Sequence, residues 1–176
     1  MSVSQKVLVL GLGASGRTAA RFYASRGFEV LAADTRPQPP KLEELQQEIA
    51  NLRFLGAQVT PETAAEVSEV MISPGLSPEY SVFAPVVKEA RQHGIPVVGE
   101  IELFARELKK LKAESGYAPK IIGITGTNGK TTTTMLSTAT LQRPEGRWLR
   151  PAMSARMPWA SWKTSSGRNT AGFLGT

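Results

Sequence analysis

Apolar and polar positions alternate in blocks along this chain, and the blocks predict strands and helices in turn. Val7-Leu8-Val9-Leu10 is a short continuous apolar run, the pattern of a parallel strand buried on both faces. Gly11 to Gly16 predict a turn. Residues 17–26 predict a helix with Ala19, Ala20, Phe22 and Tyr23 inward, closed by Gly27. Phe28 to Ala33 predict a second strand that ends at Asp34, and Pro37, Pro39 and Pro40 then break the chain. A polar helix is expected over 41–50. Val70-Met71-Ile72 is another buried run, stopped by Ser73-Pro74-Gly75. Pro85 suits a first helical turn, and a helix is expected from there to His93, with Gly94 as its stop. Pro96-Val97-Val98 predicts a strand, and 100–112 a helix with Ile101, Leu103, Phe104, Leu108 and Leu111 apolar.

Strands alternating with helices predict an α/β fold, a doubly wound, Rossmann-like parallel sheet with right-handed crossovers. Residues 1–99 form this first domain, and 100–119 a helix and linker. Residues 120–137 read as the strand, loop and helix that open a second, phosphate-loop domain. After Leu136 the periodicity decays, and 138–176 are rich in Arg, Pro, Ser, Trp and Gly.

Charge follows the same division. The net charge is +6, yet residues 1–137 hold 15 Lys+Arg against 14 Asp+Glu, while 138–176 hold six against one. The basicity belongs to the tail, so it does not argue for nucleic-acid binding. The chain has no cysteine, which excludes a disulfide framework and thiol chemistry and suits a cytoplasmic setting. The N-terminus lacks a charged region followed by a long apolar one, and no run approaches membrane-spanning length.

Two glycine-rich turns carry the candidate chemistry. Gly11-Leu12-Gly13-Ala14-Ser15-Gly16 is a full G-x-G-x-x-G between strand and helix. Asp34, the chain's one aspartate, follows Gly16 by 18 residues at the next strand end. That context suits a diphosphate on a helix N-terminus and an acid near a hydroxyl or ring N–H. The alternative is that the glycines only permit close packing. Ser73-Pro74-Gly75 ends a strand on the ligand-binding side of such sheets, or is a plain turn. The second turn is Gly126-Thr127-Asn128-Gly129-Lys130-Thr131-Thr132. Backbone N–H groups there can face a polyphosphate, Lys130 can reach its terminal phosphates, and Thr131 or Thr132 can offer a hydroxyl to Mg²⁺. Its glycine spacing departs from the general motif: Ile124 stands where the usual first glycine would be. His93, the chain's one histidine, reads as a helix C-terminal cap rather than a catalytic group.

Together these residues resemble the Mur ligases of peptidoglycan synthesis, and within them the D-glutamate-adding type. The resemblance rests on Gly11–Gly16, Asp34-Thr35-Arg36, Ser73-Pro74-Gly75, Gly99-Glu100-Ile101-Glu102-Leu103-Phe104 and the 125–132 loop, in order over roughly 6–137. It implies that Gly13, Ala14 and Ser15 meet the diphosphate of UDP-N-acetylmuramoyl-L-alanine. Asp34, Thr35 and Arg36 would recognise the uracil, and Ser73 and Gly75 would approach from the opposite strand end. Gly126 to Thr132 would hold ATP, with Lys130 and Thr131 catalytic and Thr131 on Mg²⁺. The implied reaction activates a carboxylate as an acyl phosphate, which the amine of D-glutamate attacks. The family's Gly-Asn-Ile segment, metal-binding glutamate and histidine, and modified lysine have no counterpart here. The tail has the composition of a GC-rich gene read out of frame, so the expectation is a frameshifted or prematurely ended, inactive ligase. Sequencing codons 137–145 checks this. A stand-alone nucleotide-binding module and an NAD-dependent oxidoreductase are the other readings. The oxidoreductase rests on the first glycine turn alone.

Overall fold

A computed structural model of the 176-residue chain describes residues 5–117 and 120–141. It divides into two compact units, 1–107 and 108–176. The first holds a five-stranded, all-parallel sheet. Its strands are β1 (Lys6–Leu10), β2 (Glu29–Ala33), β3 (Leu52–Gly56), β4 (Glu69–Ile72) and β5 (Val97–Val98). They lie in the order β3-β2-β1-β4-β5. The chain therefore winds outward from β1 through β2 to β3, then returns to lay β4 on the other side of β1. That reversal opens a crevice at the carboxyl ends of β1 and β4, the place where doubly wound sheets bind ligands.

Burial explains why these segments are strands. Val7, Leu8, Val9 and Leu10 are each fully buried, as a central strand covered on both faces requires. Leu8 pairs with Leu31 on one side and Val70 on the other. Leu8, Leu10, Leu31 and Val70 share one core cluster with Phe83, Val86, Val87 and Ala90. Four of these cluster residues belong to or cap α4 (Ala84–Gln92), whose second residue is Pro85. The α1 helix (Ala14–Ser25) begins three residues earlier than the sequence pattern predicts, and buries Ala19, Ala20, Phe22 and Tyr23 as expected. Helix α2 (Leu42–Glu48) is shorter than predicted and α5 (Glu100–Ser115) longer. Two elements, β3 and the four-residue α3 (Glu62–Ala65), carry no mark in the hydrophobic pattern. His93 caps α4, its Nδ1 3.1 Å from the Glu89 carbonyl oxygen.

At the amino end of the sheet a polar network ties α5 to the core. The Tyr23 hydroxyl donates to Glu69, and Arg106 of α5 donates to the other oxygen of Glu69 and to Glu102. Burial, and then the neighbouring Glu69 carboxylate, raise the Tyr23 hydroxyl far above its ordinary pKa, which keeps it a donor. Tyr23→Phe removes a buried donor and leaves Glu69 to Arg106. The expected cost is about 1 kcal/mol, a fall of roughly 4–8 °C in a thermal melt. A melting point equal to wild type would show that the hydroxyl contributes nothing.

The second unit contains α6 (Lys130–Leu141), so the helix runs beyond the predicted end at 137. The predicted strand before it is not formed: among the described residues, 120–127 adopt no strand. Ile121 and Ile122 lie about two-thirds exposed. A strand is defined by its ladder partners, and no described residue pairs with this segment. Of the predicted tail over 138–176, residues 138–141 belong to α6 and 142–176 lie outside the described residues.

Candidate functional site

The crevice is built from three loops that meet over the ends of β1, β2 and β4. At its centre the Gly11–Leu12 backbone is held on every polar atom. The Gly11 N–H donates to the Ala33 carbonyl at 2.7 Å. The Gly11 carbonyl accepts from the Ser73 hydroxyl at 2.7 Å. The Leu12 N–H donates to Asp34 Oδ2 at 2.7 Å, and the Leu12 carbonyl accepts from Arg17 Nη1 at 3.0 Å. Gly11 sits at φ +87°, a conformation natural to glycine. Gly16 packs its α-carbon against this turn, where a β-carbon would fall 1.7 Å from the Gly11 carbonyl oxygen.

Gly13 precedes α1 without a side-chain cap. Arg17 N–H makes the first intrahelical bond, to the Gly13 carbonyl. The N–H groups of Ala14, Ser15 and Gly16 come before it and have no acceptor within the helix. No acidic residue occupies the first turn of α1. The result is a positive helix end beside the switch point, ready for an anion. A β-carbon at Gly13 or at Gly75 would meet no protein atom within 4 Å.

Asp34 is buried, yet ionised. Its Oδ1 accepts from the Arg36 backbone N–H (2.9 Å) and Nε (2.8 Å), and its Oδ2 from Leu12 N–H and Arg36 Nη2 (2.8 Å). Those four donors fill a carboxylate's capacity. The Arg36 side chain, aided by the two backbone N–H groups and opposed by burial, holds its pKa at about 2, below the ordinary 3.8. The Arg36 side chain is half exposed, and Thr35 is exposed. Ser73 is likewise buried, with its proton committed to Gly11.

Thus Asp34, with Arg36 bonded to it, and Ser73 are brought to the Gly11–Leu12 turn that leads into Gly13, Ala14 and Ser15, while Thr35 and Gly75 lie next to them in sequence. There, Asp34 and Ser73 bond to the protein itself. The sequence reading missed Arg17. Its signal was a cation in a helix's first turn, where the dipole disfavours one unless acceptors hold it.

In the second unit, Gly126 (φ +150°) and Gly129 (φ +75°) bend the chain into α6. Thr133 N–H bonds to the Gly129 carbonyl, leaving the N–H groups of Lys130, Thr131 and Thr132 without helical acceptors. Lys130 Nζ folds back onto the Gly126 and Thr127 carbonyls. Thr127, Asn128, Thr131 and Thr132 are exposed. A lysine, free N–H groups and hydroxyls are a donor set that fits a polyphosphate and its Mg²⁺.

The strand order and the loops bonded across the ends of β1, β2 and β4 define a doubly wound α/β domain. Residues 5–99 match the Mur ligase MurD-like N-terminal domain, and the chain belongs to that family. It is 51% identical over 137 residues to the UDP-N-acetylmuramoylalanine–D-glutamate ligase of Cupriavidus pinatubonensis, covering 78% of this chain and 27% of that protein. It is 52% identical over 131 residues to the ligase of the same name from Paraburkholderia xenovorans, covering 74% and 26%. The chain thus spans about a quarter of the length of these curated relatives. Among solved structures, a pseudomurein peptide ligase type C from Methanothermus fervidus matches 79% of this chain and 26% of its own. Its TM-score is 0.50 at 22% identity, a likeness of fold.

Proposed function

We propose that this chain supplies the nucleotide-sugar end of a D-glutamate-adding Mur ligase, taking UDP-N-acetylmuramoyl-L-alanine in the crevice beside β1 and β4. The observation that carries this is the uncapped start of α1 at the switch point, in a chain about half identical to ligases named for that substrate. The diphosphate would accept from the N–H groups of Ala14 and Ser15. Gly13 and Gly75 would let it approach the backbone. The uracil would lie over the half-exposed Arg36 side chain beside Thr35, with Asp34 holding both in place.

In the complete reaction, ATP would bind the loop from Gly126 to Thr132. Lys130 would leave its two loop carbonyls to neutralise the transferring phosphate, the main electrostatic contribution to such a step. Thr131 would offer its hydroxyl to Mg²⁺, which supplies charge neutralisation when bound. The substrate carboxylate takes the terminal phosphoryl group and releases ADP. The D-glutamate amine then attacks the acyl phosphate, forming an amide and releasing phosphate. The setting would be the cytoplasm, in peptidoglycan synthesis and hence cell-wall growth and division. The 176 residues alone are proposed to bind without ligating, because they span so little of the relatives' length. ADP release dependent on D-glutamate would refute that point.

Calorimetric titration with UDP-N-acetylmuramoyl-L-alanine and with NAD tests the site. Binding of the UDP-sugar and not NAD is expected. The reverse result would support an oxidoreductase-type dinucleotide site instead.

A further inference from the structure

Arg17 stands on the first turn of α1 and reaches two carbonyls that belong to different loops. Its Nη1 lies 3.0 Å from the Leu12 oxygen in the glycine turn. The same nitrogen lies 3.4 Å from the oxygen of Pro40, 23 residues away in the loop between β2 and α2. That loop carries Thr35 and Arg36. Its near end is anchored by Asp34, through four hydrogen bonds. Between Arg36 and Lys41 it contains three prolines, which donate no backbone hydrogen bonds. At its far end the Leu42 N–H reaches the Pro39 carbonyl at 3.2 Å, and the Pro40 carbonyl accepts from Arg17, a donor from α1. Because its Nη1 is bound to a carbonyl of each, Arg17 lies as a tie between the two loops.

We propose that Arg17 is a positioning residue of the nucleotide subsite, tying the 35–41 loop to the glycine turn so that Thr35 and Arg36 are held where a base would stack. The proposal rests on the UDP-binding reading above, and the experiment separates the two. The full chain and its Arg17→Met variant, which keeps the aliphatic stem, are compared by thermal melting, amide hydrogen exchange and UDP titration at several salt concentrations. The expected variant melts within about 2 °C of wild type, since one half-buried surface tie is lost. The Leu42 amide, bonded to the Pro39 carbonyl at 3.2 Å, exchanges about tenfold faster, while β1 amides are unchanged. UDP affinity falls about tenfold as preorganisation is lost. Its dependence on salt keeps the wild-type slope. Unchanged exchange at Leu42 would overturn the proposal. So would unchanged UDP affinity in the variant, or a flattened salt slope, which would place the Arg17 charge on the phosphate. A wild-type chain that does not bind UDP overturns the proposed function, and the exchange measurement then decides the Arg17 tie by itself.

Discussion

Gly16→Ala is expected to unfold the first domain or to cost it roughly 3 kcal/mol or more, the range of severe core overpacking and broken backbone contacts. The added β-carbon would lie 1.7 Å from the Gly11 carbonyl oxygen and 2.8 Å from Ser73 Oγ. The nearer atom is backbone, and it already accepts the Ser73 hydrogen bond. Gly11 cannot retreat, because its own N–H is bonded to Ala33. Relief must come from moving α1 away from the sheet, which uncovers Ala19, Ala20 and Phe22. Gly13→Ala is the control. Its β-carbon meets nothing in the protein, so its stability stays near wild type while anion binding at the helix start suffers. Chemical denaturation of both variants checks the contrast. Equal stability of Gly16→Ala and wild type would mean that the turn is not packed as described.

Asp34→Asn is expected to cost roughly 2–3 kcal/mol, because an amide nitrogen then faces a donor and the Arg36 charge loses its partner. The effect has a pH signature. The folded carboxyl titrates at about 2, depressed from 3.8. Its stabilisation is therefore full above the unfolded value, near pH 4, and is lost as pH falls through 2. The shift corresponds to about 2 kcal/mol. Wild type should lose that much more stability than Asp34→Asn between pH 5 and 2 in roughly matched denaturant melts. Parallel curves for the two proteins would show that Asp34 is not held by its four donors.

Where an element's cause is local, the sequence showed it. Val7–Leu10 is a run of apolar residues because both faces of β1 are covered, and any such run betrays a central strand. The Gly11–Gly16 turn was legible because its glycines answer steric needs at fixed spacing. Strand β3 was not. Its five residues sit at the sheet edge, with Arg53 exposed and Phe54 only half buried, so neither a run nor an alternation marks it. Ile121-Ile122 misled in the other direction: its residues suit a strand, but strand formation is decided by partners distant in sequence. The site divided the same way. Asp34 and Ser73 were found by position, but their role depends on what they touch. Asp34 grips a backbone N–H 22 residues back, and Ser73 a carbonyl 62 residues back. No spacing rule reports such bonds, and Arg17 was missed for the same reason.

The Ser73–Gly11 bond joins the two loops on either side of the switch point, so the crevice between β1 and β4 is spanned by the protein's own hydrogen bond. A receptor fastened in this way has no opening step to wait for. Association with its anionic ligand should then proceed in a single kinetic phase, with an observed rate that rises in proportion to ligand concentration and does not level off. Ser73→Ala, by unfastening the loops, is the change that would introduce a slower, saturating phase.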